Sequence, residues 1–487
     1  MPRVTQHQLE FAQSILGDVY GHLEQRIYEL FVDRLKAKGT FDIHDNVLGW
    51  QLEKLNELHL LNEDVIAEVS KATGIAKTQL TQLITGVGYQ IADDTYSNLA
   101  SSTGQQIAPP NQINQILEGY LNQTFLDLDN NVNQTLITTN YGDNSATQTY
   151  QDIIRNITSE VVIGAKTPDR AIADTIYKWR DQGIKSSFVD KGGHNWSVDS
   201  YARTVITTTS NHAFQAVRDQ AADDYGIDVF VMSSHAASRP ACAPIQGHLV
   251  TTRDEEFDTP DGEHVYALSN YGYGEPGGTF GINCHHNKWP FVIGVNTNNQ
   301  PQFDPEEAEA NGEVQQQQRA LERRVRGYKQ QKALAEKLDD GKGQAKYSQL
   351  IRSNQAALRQ LVKDNEFLHR DYSREKSYNV GVDEKAQKVR STINQQQYEK
   401  HRVGTKAFEN YVKGSKGPVS EMTLNKDEQQ ALINQYGTSD FAVKQVFFEH
   451  SSPIGYYVDE SGNRIPTDYG RISYSKSGAH ITPRRPR

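Results

Sequence analysis

Two cysteines and a cluster of histidines are the residues of this chain best suited to chemistry. Cys242 and Cys284 are its whole complement of cysteine. Cys284 stands in GINCHHNKWPF, Gly281 to Phe291, directly before His285 and His286, and His235, His248 and His264 fall in the same glycine-rich stretch. Thiolates and neutral imidazoles are the ligands zinc prefers, and closed structural sites use four of them at tetrahedral geometry. The predicted set is Cys242, Cys284 and His286, with His235 or His248 as the fourth. A small domain with few apolar residues gains from such a staple. The alternative is a pair of buried thiols among hydrogen-bonded histidines, because no close C-x-x-C pair marks a zinc finger here.

Catalytic readings of the same stretch fail on context. CHHNK superficially resembles a His-Asn-His nuclease site, which needs a helix after the catalytic strand to carry metal ligands, yet WPFVIGVN follows and reads as strand. GYGEPG, Gly272 to Gly277, fits G-x-G-x-x-G, but no helical period follows to hold a pyrophosphate at a helix N-terminus. Walker, H-E-x-x-H and G-x-S-x-G patterns are absent. No catalytic residue and no bound organic cofactor are therefore assigned. VIAEVSKATGIAKTQLTQLI, Val65 to Ile84, has the outline of a helix-turn-helix with its turn at Gly74. Its second half offers only Lys77 to phosphates, which favours a plain αα-hairpin.

The elements that must position these residues are mostly helical. The chain has 487 residues, 36% of them hydrophobic, and a net charge of −10; its mean hydropathy is −0.70. That suits several domains and extended helices with solvated faces, and it argues against a protein whose main task is coating nucleic acid. No apolar run approaches 18 residues, so no membrane partner is expected. The reading is a mainly α, multidomain chain. Residues 1–165 form an N-terminal helical domain and 166–227 a second helical block, with Pro168 and Ser197 at helix starts. Residues 228–297 form a small β-rich Cys/His domain, closed by GINCHH as its last strand. Residues 305–376 form a long helical hairpin broken at DDGKG, with an apolar stripe so thin that it must dock on other helices or on a partner. Residues 377–487 are a mixed α+β C-terminal region.

SSHAASRPACAPIQGHLVTT and GYGEPGGTFGINCHHNKWPFVIG together resemble the signature of the phage minor capsid protein 2 family, similar to the head-morphogenesis proteins of tailed bacteriophages. The resemblance runs from about residue 165 to 376. His235, Arg239, Pro240, Gln246, Gly247, Gly281, Asn283, Cys284 and His286 stand at the motif positions, and His285 departs from them where arginine is usual. It implies a minor structural protein of the virion, made in the host bacterial cytoplasm and placed in the capsid interior or at the portal vertex. The implied partners are the portal protein and the major capsid or scaffold proteins. Two other readings remain: an enzyme, either a metal-dependent nuclease or a toxin-like activity in the C-terminal hundred residues, and a DNA-binding protein packaged in the head. For the last, Arg323, Arg324 and Arg326 would supply sequence-independent phosphate contacts.

Overall fold

The computed structural model describes residues 6–137, 144–375, 392–415, 417–436, 445–450, 452–459, 461–475 and 478–485. They fall into two units, Met1–Val380 and Gly381–Arg487. The chain is mainly α-helical, as its sequence periodicity predicts.

The first unit is built on long amphipathic helices. α1 (Gln6–Lys36) buries Leu16, Tyr20, Leu23, Ile27 and Phe31, a stripe at intervals of three and four that turns one helical face inward. α2 (Val47–Asn56) precedes α3 (Leu58–Thr81), which passes straight through Gly74 into a π-helical turn, Gln82–Gly86. The turn expected at Gly74 does not form, and with it both the helix-turn-helix and the αα-hairpin readings fall. The reason is the unbroken stripe Val65, Val69, Ala72, Ala76 and Leu80, all buried. Burying those side chains outweighs the roughly 1 kcal/mol that glycine costs a helix interior.

α4 (Val87–Thr103) and α5 (Gln112–Leu128) follow, then a short α6 (Gln134–Ile137) and α7 (Ser145–Val162). Of the loop read in YGDNSATQT, the first three residues lie outside those described. The rest is a helix start: the Asn144 side chain accepts from the amides of Ala146 and Thr147 at 2.9 and 3.1 Å, a standard N-cap for two otherwise unpaired donors. α8 (Pro168–Gln182) opens on Pro168, and a two-stranded ribbon, β1 (Lys185–Val189) and β2 (Asn195–Ser197), leads into α9 (Val198–Asp224), capped by Ser197. One continuous apolar core joins α1, α3, α4, α5, α7, α8 and α9.

The β-rich segment of the first unit forms a sheet of β3 (Val229–Met232), β4 (Leu249–Thr251), β5 (Phe257–Asp258), β6 (His264–Ala267) and β7 (Lys288–Pro290), in the order β5-β6-β4-β3-β7. Only the β4–β6 pair is parallel. The closing strand is therefore β7, beginning at Lys288. GINCHH itself lies in turns and irregular backbone before it, because Phe280 and Asn283 adopt positive φ of 58° and 55°, which a pleated strand does not accommodate.

α10 (Pro305–Lys337) and α11 (Gly341–Asp364) form the hairpin. Its thin stripe docks on the body by polar contacts as well as apolar ones. Leu334, Ala335 and Tyr347 join the main core, and buried Gln331 donates to the Tyr177 carbonyl at 2.9 Å and to Asp181 at 2.7 Å.

The second unit has α12 (Gln395–His401), α13 (Lys406–Gly414), β8 (Glu421–Met422), α14 (Lys426–Tyr436), β9 (Gln445–Glu449), β10 (Gly455–Val458), β11 (Arg464–Thr467), β12 (Tyr469–Ser475) and β13 (Gly478–Pro483). Two small antiparallel sheets, β11-β10-β8 and β13-β12-β9, enclose a core that includes Met422, Leu432, Phe448, Ile454, Ile472 and Ile481.

Candidate metal centre

Two irregular segments carry the cysteines to one point. After β3 the chain turns at Pro240, where the Arg239 carbonyl accepts the amides of Cys242 and Ala243, both at 2.9 Å, and the Cys242 carbonyl accepts that of Gln246 at 2.9 Å. This hydrogen-bonded turn fixes Cys242. Cys284 sits at the end of a second turn, its amide donating to Gly281 at 3.1 Å. Gly281 is dictated by space, since a Cβ there would lie 1.8 Å from the Glu275 carbonyl oxygen. Gly247 combines a φ of 77° with a Cβ position 2.7 Å from the Pro301 oxygen, so only glycine fits. Arg239 ties the two segments, donating to the Ile282 carbonyl at 2.9 Å.

The Cys242 and Cys284 sulfurs are 3.9 Å apart, and Cys284 Sγ is 3.7 Å from His286 Nδ1. All three side chains are buried, with their donor atoms within 4.8 Å of one another. A tetrahedral zinc with bonds of about 2.3 Å to sulfur and 2.0–2.1 Å to nitrogen has S–S and S–N edges near 3.8 and 3.6 Å. The observed separations are close to those edges. On the far side of the His286 ring, Nε2 faces Gln246 Oε1 at 3.1 Å, a donor–acceptor pair that turns Nδ1 toward the sulfurs. The same Gln246 oxygen accepts the His235 amide at 3.0 Å. The His235 ring stands edge-on to His286 with centroids 4.6 Å apart, and its Nε2 is 3.3 Å from the Ser233 hydroxyl.

His248 and His264 lie elsewhere. The first rests on Tyr266, ring centroids 5.4 Å apart; the second is exposed and bonded to Asp258 at 2.7 Å. The thiols are electrostatically unequal. Hydrogen bonding from Cys242, then from His286, holds Cys284 well below the ordinary thiol range, while the shared proton and burial push Cys242 up. Burial, reinforced by His286 and His285, lowers His235 to about 4. The pocket thus favours one thiolate and a neutral His235, the forms that bind a metal.

The remaining motif positions serve the same knot. Asn283 takes the left-handed conformation its turn requires, and its amide donates to Thr208 on α9 at 3.3 Å. His285 points outward, 3.5 Å from Glu10, whose other oxygen takes Arg374 at 2.8 Å. Of the hairpin arginines, Arg323 and Arg324 are exposed. Arg326 is turned inward and donates to the Arg374 carbonyl at 2.6 Å.

Sequence reasoning passed over the next two residues, Asn287 and Lys288. Asn287 Oδ1 accepts from Gln215 at 3.1 Å and Arg218 at 3.0 Å. Lys288 is fully buried, paired with Asp219 and lying 4.1 Å from the centre of the Phe230 ring. Their partners stand on one face of α9 in QAVRD, a spacing of three and four that carried the signal.

Comparison of its sequence places the chain in a class of phage proteins. The chain belongs to the phage minor capsid protein 2 family, which matches residues 4–363. A structural protein of Lactococcus phage LL-H is 40% identical over 366 residues, covering 74% of this chain and 98% of that protein. A structural protein of Lactococcus phage mv4 is 49% identical over 113 residues, 23% of this chain and 92% of its own length. Residues 393–483 match a second family, described as bacterial toxin 50. No solved structure matches the chain.

Proposed function

We propose that this phage minor capsid protein is a low-copy component of the portal vertex, contacting the portal through its helical body, with the Cys/His knot as a structural zinc site. The observation that carries the reading is an alignment that spans 98% of a phage structural protein and 74% of this chain. The hairpin α10–α11 supports it, because its outer face keeps Arg323, Arg324 and Ala333 exposed. Co-purification with an affinity-tagged portal from infected cells tests the placement. Recovery of the chain with the portal at near-equal amounts is expected; recovery only with the major capsid subunit would refute portal contact.

For the metal, Cys242, Cys284 and His286 are the assigned ligands and His235 the fourth, since its ring already adjoins His286. Zinc there would stabilise the fold and leave chemistry to other parts of the chain.

A second reading applies to the C-terminal unit alone. The match of residues 393–483 to bacterial toxin 50 favours an effector domain carried by the virion protein. Expression of residues 381–487 in a bacterial host should arrest growth, and harmless expression of folded protein would count against it.

A further inference from the structure

The β12–β13 hairpin has one apolar face and one strongly polar face. Ile472, Ala479 and Ile481 point into the core of the second unit. In the antiparallel register Arg471 lies opposite Thr482 and Ser473 opposite His480, so these four share the other face. Arg484, two residues beyond Thr482, continues that face, its amide bonded to Tyr469 at 2.9 Å. His401, at the end of α12, stacks parallel to His480 with ring centroids 5.8 Å apart, and Tyr411 of α13 stands edge-on to His401 at 5.4 Å.

Among the described residues, six buried polar atoms of this cluster have no hydrogen-bond partner: Arg471 Nε, Arg484 Nε, Ser473 Oγ, Thr482 Oγ1, His480 Nδ1 and His401 Nδ1. Thr482 and His401 are each only 8% exposed. Buried polar groups are nearly always paired, and a concentration of exceptions marks a place where something else binds. The set is rich in donors and contains no carboxylate. Among the described residues neither guanidinium has an acidic partner, although burial and the nearby Arg484 together depress Arg471. Water would satisfy the hydroxyls but would not neutralise two crowded cations. A tetrahedral oxyanion does both, since arginine N–H groups, hydroxyls and imidazoles all bond to its oxygens.

We propose that this face is a binding site for a phosphate-class oxyanion, a phosphate ester or diester, with Arg471 and Arg484 supplying charge and Ser473, Thr482, His401 and His480 the further hydrogen bonds. The proposal deepens the effector reading by naming its ligand class, and its test is independent of toxicity. Purified full-length protein is titrated with inorganic phosphate and, separately, with a dinucleoside monophosphate, following binding by calorimetry and the imidazole resonances of His401 and His480 by NMR. Saturable binding that shifts both resonances is expected. A preference for the diester would assign the site to a nucleotide backbone, and one for inorganic phosphate to a free or terminal phosphate. Arg471→Gln and His480→Asn should each weaken binding by about tenfold or more, as lost charge-assisted bonds do, while Lys426→Gln, at an exposed position of α14, should not. Unshifted imidazole resonances in the unaltered protein, or binding indifferent to both substitutions, would overturn the proposal. Growth arrest without phosphate binding would refute this site and leave the effector reading standing.

Discussion

Cys242, Cys284 and His286 come from segments separated by the whole glycine-rich insertion, yet they meet in one pocket with their donor atoms within 4.8 Å of one another. If zinc occupies it, protein purified without chelators should contain one zinc per chain. Removing the metal should lower the melting temperature, and Cys284→Ser should lower it to a similar extent and abolish the effect of chelator. Metal-free protein with an unchanged melting temperature would leave two buried thiols. A neighbouring residue gives a second test. Lys288 is fully buried against Asp219, so Asp219→Ala strands a buried ammonium and should cost about 3 kcal/mol in urea denaturation. Adding Lys288→Met should restore most of that loss, because the charge is then gone and the volume is kept. At His480, burial, then His401, Arg471 and Lys400, lower the imidazole to about 4 from the ordinary 6.5. The unfolded chain binds that proton more readily, so this residue's contribution to stability is present above pH 6.5 and is lost as pH falls toward 4. His480→Asn should flatten that part of the stability profile.

At the scale of elements, helices were legible wherever an apolar stripe was continuous, as in α1, and strands were legible less well. Val65 to Ile84 shows why a local signal misleads: Gly74 reads as a turn, but the stripe on either side of it stays in phase and buries as one helix. GINCHH misled in the opposite way, because the positive φ of Phe280 and Asn283 cannot be seen in side-chain type alone. The two cysteines were identified as a pair from composition, whereas the polar face of β12–β13 required the register that puts Arg471 beside Thr482. The hairpin α10–α11 supplies the prediction at this scale. Ala333→Pro removes a helical hydrogen bond next to buried Leu334 and Ala335 and should cost about 3 kcal/mol or more. Lys329→Ala loses, among its contacts, the bond to the Glu375 carbonyl, about 1 kcal/mol. Thermal melts should order the two variants that way, and incorporation into heads should fall only for the proline variant; equal incorporation would show the hairpin to be dispensable for assembly.

Across the whole molecule, sequence and structure divide the chain between a phage structural body and a C-terminal unit with a different resemblance. The family match ends at residue 363 and the toxin match begins at 393, on either side of the boundary between Val380 and Gly381. A chain ending at Val380 should therefore still enter virions while losing any activity of the second unit. The account as a whole is tested most directly by targeted mass spectrometry of gradient-purified virions, counting copies of this chain against the portal and the major capsid subunit. It predicts peptides from both units at a copy number comparable with the portal and far below the capsid subunit; particles that never contain the chain would contradict it.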